Sequence, residues 1–492
     1  MMRAWRRLAS DPEALIPWAC VGVVVAWQTA FALRLPPRDG DLLWQRWLGE
    51  RVLHDHAIPR ALGHEAFAAE GARWTPHEWL FSTLLAWSGD HGAGWLVPLI
   101  CALAVAVALT TVVLRCARRG VSVTGASAAA VLCGISTVQS FGVRAQVLGW
   151  AGLTTVVTLL ECEGPWAWAA VPVTAMWANL HASAFLSPAV ATVFAVAALW
   201  RDRAWSAAVR RSVLLALACG LATLMTPFGT DLVRYTVELS TSPIRQSIAE
   251  WGATSTSTFV FGVAALPLVL ALVAFGVRAS VRDRLLVVAF GVLLFSAIRN
   301  IPVFAFVAAP IAFAALPLRS RAAGVAAAAA PAERRFAWMT VIAVVCCGAT
   351  ITAITWIKGP ASDDVLPHGT ARALLAQAHG TPRVLCEDFA WCSVFLDTPA
   401  RFFIDGRCDP YPAPLWREYR RVIDGNRGWA AVLDRERIDA VLVRRDGPLD
   451  SLLAERHGEW RRVASDRVSA LYVRPALLAG ARRRPVLADV RP

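Results

Sequence analysis

Long apolar runs recur along the chain at 15–35, 95–114, 182–200, 259–276, 301–318 and 337–357. Each approaches the roughly 20 residues that a helix needs to cross a hydrocarbon core. Shorter runs at 121–138, 147–160, 166–178, 213–228 and 285–298 bring the expected number of membrane helices to about eleven. Those at 147–160, 166–178 and 285–298 are short enough to be re-entrant. The pattern changes after Lys358. Apolar, β-type runs at 383–387, 401–405, 438–443, 459–465 and 469–474 follow a helical stretch at 368–379. Helical patterns at 389–396, 412–424, 428–435 and 448–456 lie between most of them. This alternation predicts an α/β layer with a partly parallel sheet and a terminal hairpin. The chain therefore reads as a polytopic α-helical membrane domain over 1–357, with a first external loop at 36–94, and a soluble α/β domain over 358–492. The alanine- and arginine-rich segment 319–335 reads as a cytoplasmic linker between the last two spans. Arg3, Arg6 and Arg7 before the first run resemble the start of a signal peptide. No small-x-small cleavage site precedes Pro36, so a retained anchor is expected.

Composition agrees with a membrane protein. Hydrophobic residues make up 57% of the 492 and charged ones 17%, with mean hydropathy +0.49. The net charge of +13 would suit nucleic acid, but its placement argues against that partner. With the amino terminus in the cytoplasm, inner segments carry seventeen arginines, and outer segments before the tail carry nine. That asymmetry orients a membrane protein among its lipids, and an odd number of spans puts the tail outside. Eight of the eleven cysteines lie in or beside spans. Cys386, Cys392 and Cys408 fall in the tail, where export permits oxidation. Cys386 and Cys392 flank a predicted strand-to-helix turn and are expected to form a local disulfide.

Candidate chemistry gathers in the 36–94 loop. Arg38-Asp39-Gly40-Asp41 precedes an amphipathic pattern with Leu43, Trp44, Trp47, Leu48 and Val52 on one side. Such a helix lies in the headgroup layer, and Asp39 and Asp41 would stand at its amino terminus. They are candidate catalytic carboxylates or, alternatively, helix caps. His77-Glu78 opens a second apolar stretch. Glu78 is a third candidate acid or first-turn charge favoured by the helix dipole. Five of the nine histidines lie in this loop without the spacing of a helical ligand pair. No cofactor is required by the sequence, and a divalent metal remains open.

Other polar groups fall at the outward ends of spans: Arg144 with Gln139 and Gln146, Asn179 with His181, Arg299 with Asn300, and Arg245 with Glu250. Ionisable groups at membrane depth usually line a cavity or meet a polar ligand. Arginines there suit a lipid phosphate, the alternative being snorkelling to headgroups. His77, Asn179, His181 and Glu250 complete the candidate substrate-binding set, Glu250 being alternatively an ordinary loop acid.

The combination of Asp41-Leu42-Leu43-Trp44-Gln45, Gly49, Ile58-Pro59, Trp74-x-x-His77-Glu78-Trp79-Leu80 and Asn179-Leu180-His181 resembles bacterial members of the GT-C membrane glycosyltransferases. The stretch Phe403-Ile404-Asp405-Gly406-Arg407-Cys408-Asp409-x-Tyr411 is similar to the tail of one branch. The resemblance implies a polyprenyl-phosphate-linked sugar donor, a glycan or lipid acceptor, inverting transfer, and a bacterial inner membrane with the tail on the periplasmic side. It also implies an essential acid in the first external loop, which falls on Asp41, or else on Asp39. Ser247-Ile248-Ala249-Glu250 is similar to the Ser/Thr-x-x-Glu element of oligosaccharyltransferases. Their Trp-Trp-Asp-Tyr-Gly acceptor motif is absent, with only Glu387-Asp388-Phe389-Ala390-Trp391 in a comparable place. A leaving polyprenyl phosphate needs little acid assistance. The chemistry needs a carboxylate to take the acceptor proton and cations to hold the phosphate. Two other readings stand beside this one: a transporter or flippase-like protein, and a silent scaffold for envelope glycan assembly. A transporter should carry charges at mid-span and inverted repeats, and the sequence displays neither.

Overall fold

A computed structural model describes residues 12–34, 40–138, 140–162, 164–242, 244, 248–255, 258, 260–275, 279–316, 331–357 and 366–478. These form two compact units. One draws on Met1–Arg34, Ala93–Thr236 and Arg245–Gly359, the other on Leu35–Gly92, Val237–Ile244 and Pro360–Pro492.

The first unit is helical. Among the described residues, five helices are long and apolar enough to cross a membrane: Glu13–Ala30, Leu96–Arg118, Ala145–Cys162, Ala182–Asp202 and Ile298–Ala315. Two shorter apolar helices, Val123–Ser136 and Trp338–Ile354, accompany them. Five is therefore the number that length and apolarity support among the described residues. The expected re-entrant run at 147–160 is instead an 18-residue helix, because its polar flanks Ala145-Gln146 and Glu161-Cys162 continue the helical backbone. The run at 166–178 divides into a 3₁₀ turn, Gly164–Ala169, and a helix of 11 residues, Ala170–Leu180. Of the 319–335 linker, residues 331–335 belong to the helix Pro331–Ile357, and the rest lies outside the described residues.

Charges at one end of the first unit meet a backbone need. Pro310 lies inside the Ile301–Ala315 helix and brings no N–H to the carbonyl four residues back. That carbonyl, on Phe306, accepts a hydrogen bond from Arg115 Nη1 at 2.9 Å. The fully buried Arg115 also donates to Glu161 at 3.0 Å. Arg119 then links Glu161, at 2.7 Å, to Asp283, at 2.9 Å.

The second unit contains the first loop and the tail. The Asp41–His54 helix buries Trp44, Gln45, Leu48 and Gly49 against the Trp79–Asp90 helix, which buries Phe81, Ser82, Ala86 and Ser88. A Cβ at Gly49 would come within 2.0 Å of the Ser82 carbonyl, so only glycine permits this approach. Between the helices the chain doubles back through the Ala61–Arg73 bridge, turning at Gly71 with φ +76°.

The tail folds on a five-stranded sheet: β1 (Arg383–Cys386), β2 (Arg401–Phe402), β3 (Ala440–Arg444), β4 (Arg461–Ser465) and β5 (Ser469–Val473), in the order β2-β1-β3-β5-β4. β1 runs parallel to β2 and β3, while β5 is antiparallel to β3 and β4. β2 stops at Phe402 because the following residues leave the ladder to build a buried charge cluster. The expected helix at 389–396 is a 3₁₀ turn, Phe389–Phe395, capped by the Asp388 carboxylate. The Cys386–Cys392 disulfide is not formed. Both residues are buried free thiols, and burial pushes the Cys386 thiol well above its ordinary value.

Candidate active site

The 36–94 loop and the tail meet through an arginine. Arg407 Nε donates to Asp405 at 2.9 Å and Nη1 to Glu65 at 2.9 Å, and the Tyr411 hydroxyl donates to Asp405 at 2.7 Å. The guanidinium also lies over Trp74, Trp47 and Phe402, at 5.2, 5.4 and 5.7 Å from their ring centres. Its Nη2, which lacks a hydrogen-bond partner, is thus surrounded by aromatic faces of the kind that attract cations. Burial alone would lower the Arg407 pKa, but Asp405, Tyr411 and Glu65 hold it above the usual arginine value. Burial, then Asp405, pushes the Tyr411 phenol up. Around this centre Phe402 N donates to Glu65 O at 2.7 Å, and Arg401 reaches Glu70 at 2.8 Å. Asp397 accepts from both Trp47 Nε1 and Arg51, at 3.0 and 2.8 Å.

This junction brings Asp41 beside the tail. Asp41 is half-buried in the first turn of its helix, and one of its oxygens accepts from Trp44 Nε1 at 3.1 Å. A Cβ on Gly406 would stand 3.4 Å from the same oxygen, 3.1 Å from Trp44 and 3.3 Å from the Ser393 hydroxyl. Glycine at 406 therefore sets how closely the tail backbone approaches the carboxylate. Gly40, not Asp41, occupies the cap position, and no side chain caps this helix. Asp39 lies outside the described residues.

Glu78 sits at the cap position of the Trp79–Asp90 helix, yet its side chain makes no capping bond. It accepts a short hydrogen bond from the buried Gln45, and His77 Nε2 is 3.4 Å from its other oxygen. His77 and Glu78 offer two adjacent ligand atoms for a divalent ion. A four-coordinate site would need two more. The pairing of Gln45 with Glu78 had no local signal in the sequence, since the two are 33 residues apart.

In the first unit, three of the expected substrate-binding residues come together. Arg144 Nη1 donates to Glu250 at 2.8 Å, and Arg299 Nη1 lies 3.9 Å from the other Glu250 oxygen. Arg299 Nη2 donates to Gln146 at 2.7 Å, and its guanidinium stacks over Trp251 at 5.2 Å. All three charged side chains remain partly exposed, so the cluster can meet an anionic ligand. Asn179 donates to the Ala175 and Met225 carbonyls at 2.9 and 2.8 Å. His181 caps the Ala182–Phe185 turn by accepting from Ser183 N. Arg245 lies outside the described residues.

The sequence matches no known protein family, and no curated protein matches it. Its fold does have solved counterparts. The archaeal oligosaccharyltransferase AglB from Archaeoglobus fulgidus, in complex with an inhibitory peptide and a dolichol-phosphate, aligns at TM-score 0.54 and 12% identity, over 87% of this chain and 69% of that one. The Archaeoglobus fulgidus oligosaccharyltransferase tethered to an acceptor peptide containing the NVT sequon aligns at TM-score 0.51 and 11% identity, over 87% and 69%. This chain thus carries helices long and apolar enough to cross a membrane together with a carboxy-terminal sheet, and its fold is similar to that of the archaeal oligosaccharyltransferase.

Proposed function

We propose that the protein is an inverting membrane glycosyltransferase that moves a sugar from a polyprenyl-phosphate donor to a glycan or lipid acceptor on the outer face of a bacterial inner membrane. The observation that carries the reading is the half-buried Asp41 carboxylate, held at a helix start beside Trp44 and Gly406, within a fold shared with enzymes of lipid-linked glycans. Asp41 takes the acceptor proton as the hydroxyl attacks, with Asp39 as its neighbour in sequence. Arg144 and Arg299, spaced by Glu250, hold the phosphate as it leaves with the bonding electrons. Arg245, Asn179 and His181 belong to the same donor-binding set. Glu78 and His77 act on the acceptor side or hold a divalent ion. The neighbour's dolichol-phosphate supports a lipid-phosphate donor.

The test is complementation of the glycan change produced by deletion, with protein abundance measured in parallel. Asp41→Asn keeps size and hydrogen bonding but cannot accept the proton, so activity should fall about 10²–10⁴-fold with abundance unchanged. Full complementation by the Asp39→Asn, Asp41→Asn double variant would overturn the catalytic reading and leave a scaffold or transporter. Loss of transfer on adding a chelator, reversed by a divalent cation, would assign a metal to the site.

A further inference from the structure

A cavity of about 680 Å³ opens in the first unit, and none of the residues proposed above for transfer lines it. Arg201, Arg203, Arg211 and Arg282 line it, and among the described residues no carboxylate does. Arg201 is bound to its neighbour Asp202 at 2.8 Å. Arg282 lies 3.6 Å from Asp283, a carboxylate already engaged by Arg119 at 2.9 Å, and its buried Nε lacks a hydrogen-bond partner. The rest of the lining is largely apolar and includes Leu160, Phe194 and Leu215. Phe194 also supports the Arg282 guanidinium at 5.1 Å.

The cavity lies at a recognisable depth. It borders the carboxy-terminal ends of the Ala145–Cys162 and Ala182–Asp202 helices, the apolar ones that carry Leu160 and Phe194. Trp166, Trp168, Trp200 and Trp205 are exposed at the same ends. Exposed tryptophans beside arginines mark the headgroup layer. A cationic pocket between helices at that layer, with an apolar wall, has the chemistry of an anionic lipid headgroup and its attached chain. A free anion would use only half of it.

We propose that this cavity binds an anionic phospholipid, with the phosphate held by Arg203, Arg211 and Arg282 and an acyl chain along Phe194 and Leu215. The site is independent of sugar transfer and of the Asp41 chemistry.

The full-length protein in detergent is titrated with dioleoyl phosphatidylglycerol, dioleoyl phosphatidylcholine or glycerol phosphate, and adducts are counted by native mass spectrometry. Phosphatidylglycerol should bind at least about tenfold more tightly than phosphatidylcholine, given the worth of each arginine near an anionic headgroup. Glycerol phosphate should bind far more weakly, because it lacks the chain. The Arg203→Gln, Arg211→Gln double variant should lose about 25-fold in phosphatidylglycerol affinity, about fivefold per arginine. Arg210→Gln, at an exposed arginine outside the cavity, should change nothing. If the double variant aggregates, Arg211→Gln alone should lose about fivefold. Equal binding of the two lipids, or unchanged affinity in the arginine variants, would overturn the proposal. Glycerol phosphate binding as tightly as the lipid would overturn its acyl-chain part and leave a phosphate site.

Discussion

Single residues carry the loop-to-tail junction, and their substitutions should separate packing from chemistry. A methyl at Gly406 meets Trp44 and Ser393 at 3.1 and 3.3 Å, closer than relaxed contacts, so Trp44 and the Asp41 carboxylate must shift by a few tenths of an ångström. Small misplacements at a reacting centre are costly. Gly406→Ala should lower kcat by about tenfold or more while the protein still folds, as read by transfer rates alongside thermal melting. Arg407→Met removes the charge between Asp405 and Glu65 and should cost about 3–5 kcal/mol, seen as loss of the folded junction in limited proteolysis. Glu387 offers a pH test. Burial raises its carboxyl pKa against the hydrogen bond from Arg444 N. A group raised on folding stabilises below its unfolded value and loses that contribution as pH rises through the folded one. Glu387→Gln should therefore raise the melting temperature at pH 7, with the gain gone near about pH 4. The sequence singled out Asp41, Glu78, Arg144, Arg299 and Glu250 because charge beside an apolar span is conspicuous. It did not pair Arg407 with Glu65 or Gln45 with Glu78, since nothing local in a chain records partners 342 and 33 residues away.

At the scale of elements, two close approaches invite tests. Gly49 brings the Asp41–His54 and Trp79–Asp90 helices together, with room for no Cβ. Gly49→Ala should push them apart and reduce both folded yield and activity, in contrast to a solvent-facing change such as Arg46→Ala. Arg115 supplies the Phe306 carbonyl with the donor that Pro310 lacks. Arg115→Gln should destabilise by about 3–5 kcal/mol, because Glu161 also loses its buried partner. Adding Pro310→Ala restores a backbone N–H and should recover about 1 kcal/mol, measured as a shift in unfolding temperature in detergent. The strands of the tail were legible to within two or three residues, since alternation and turn residues are local signals. The number of spans is a weaker local signal. Apolar runs of 13–18 residues look alike in sequence whether they cross a membrane or pack within a helical unit.

For the whole molecule, the distribution of arginines predicts orientation. Alkaline phosphatase fused after residue 475 should be active and a fusion after Arg119 inactive, and the reverse pattern would place Asp41 on the wrong side for the proposed donor. The coarse fold class was legible, because apolar runs and the β-type runs after Lys358 are enough to expect membrane-length helices and a carboxy-terminal sheet. The union of the first loop with the tail was not, for it depends on contacts that only the folded chain makes. That union also sets an order of events during synthesis. Glu65, Trp47 and Trp74 leave the ribosome early, and Arg407 follows 342 residues later. At about 5–20 residues per second, the loop waits roughly 17–70 s with its tryptophans and an acidic residue uncovered. A chain interrupted anywhere in that interval presents an incomplete loop to proteases and chaperones, so the last-made part of the protein certifies the first.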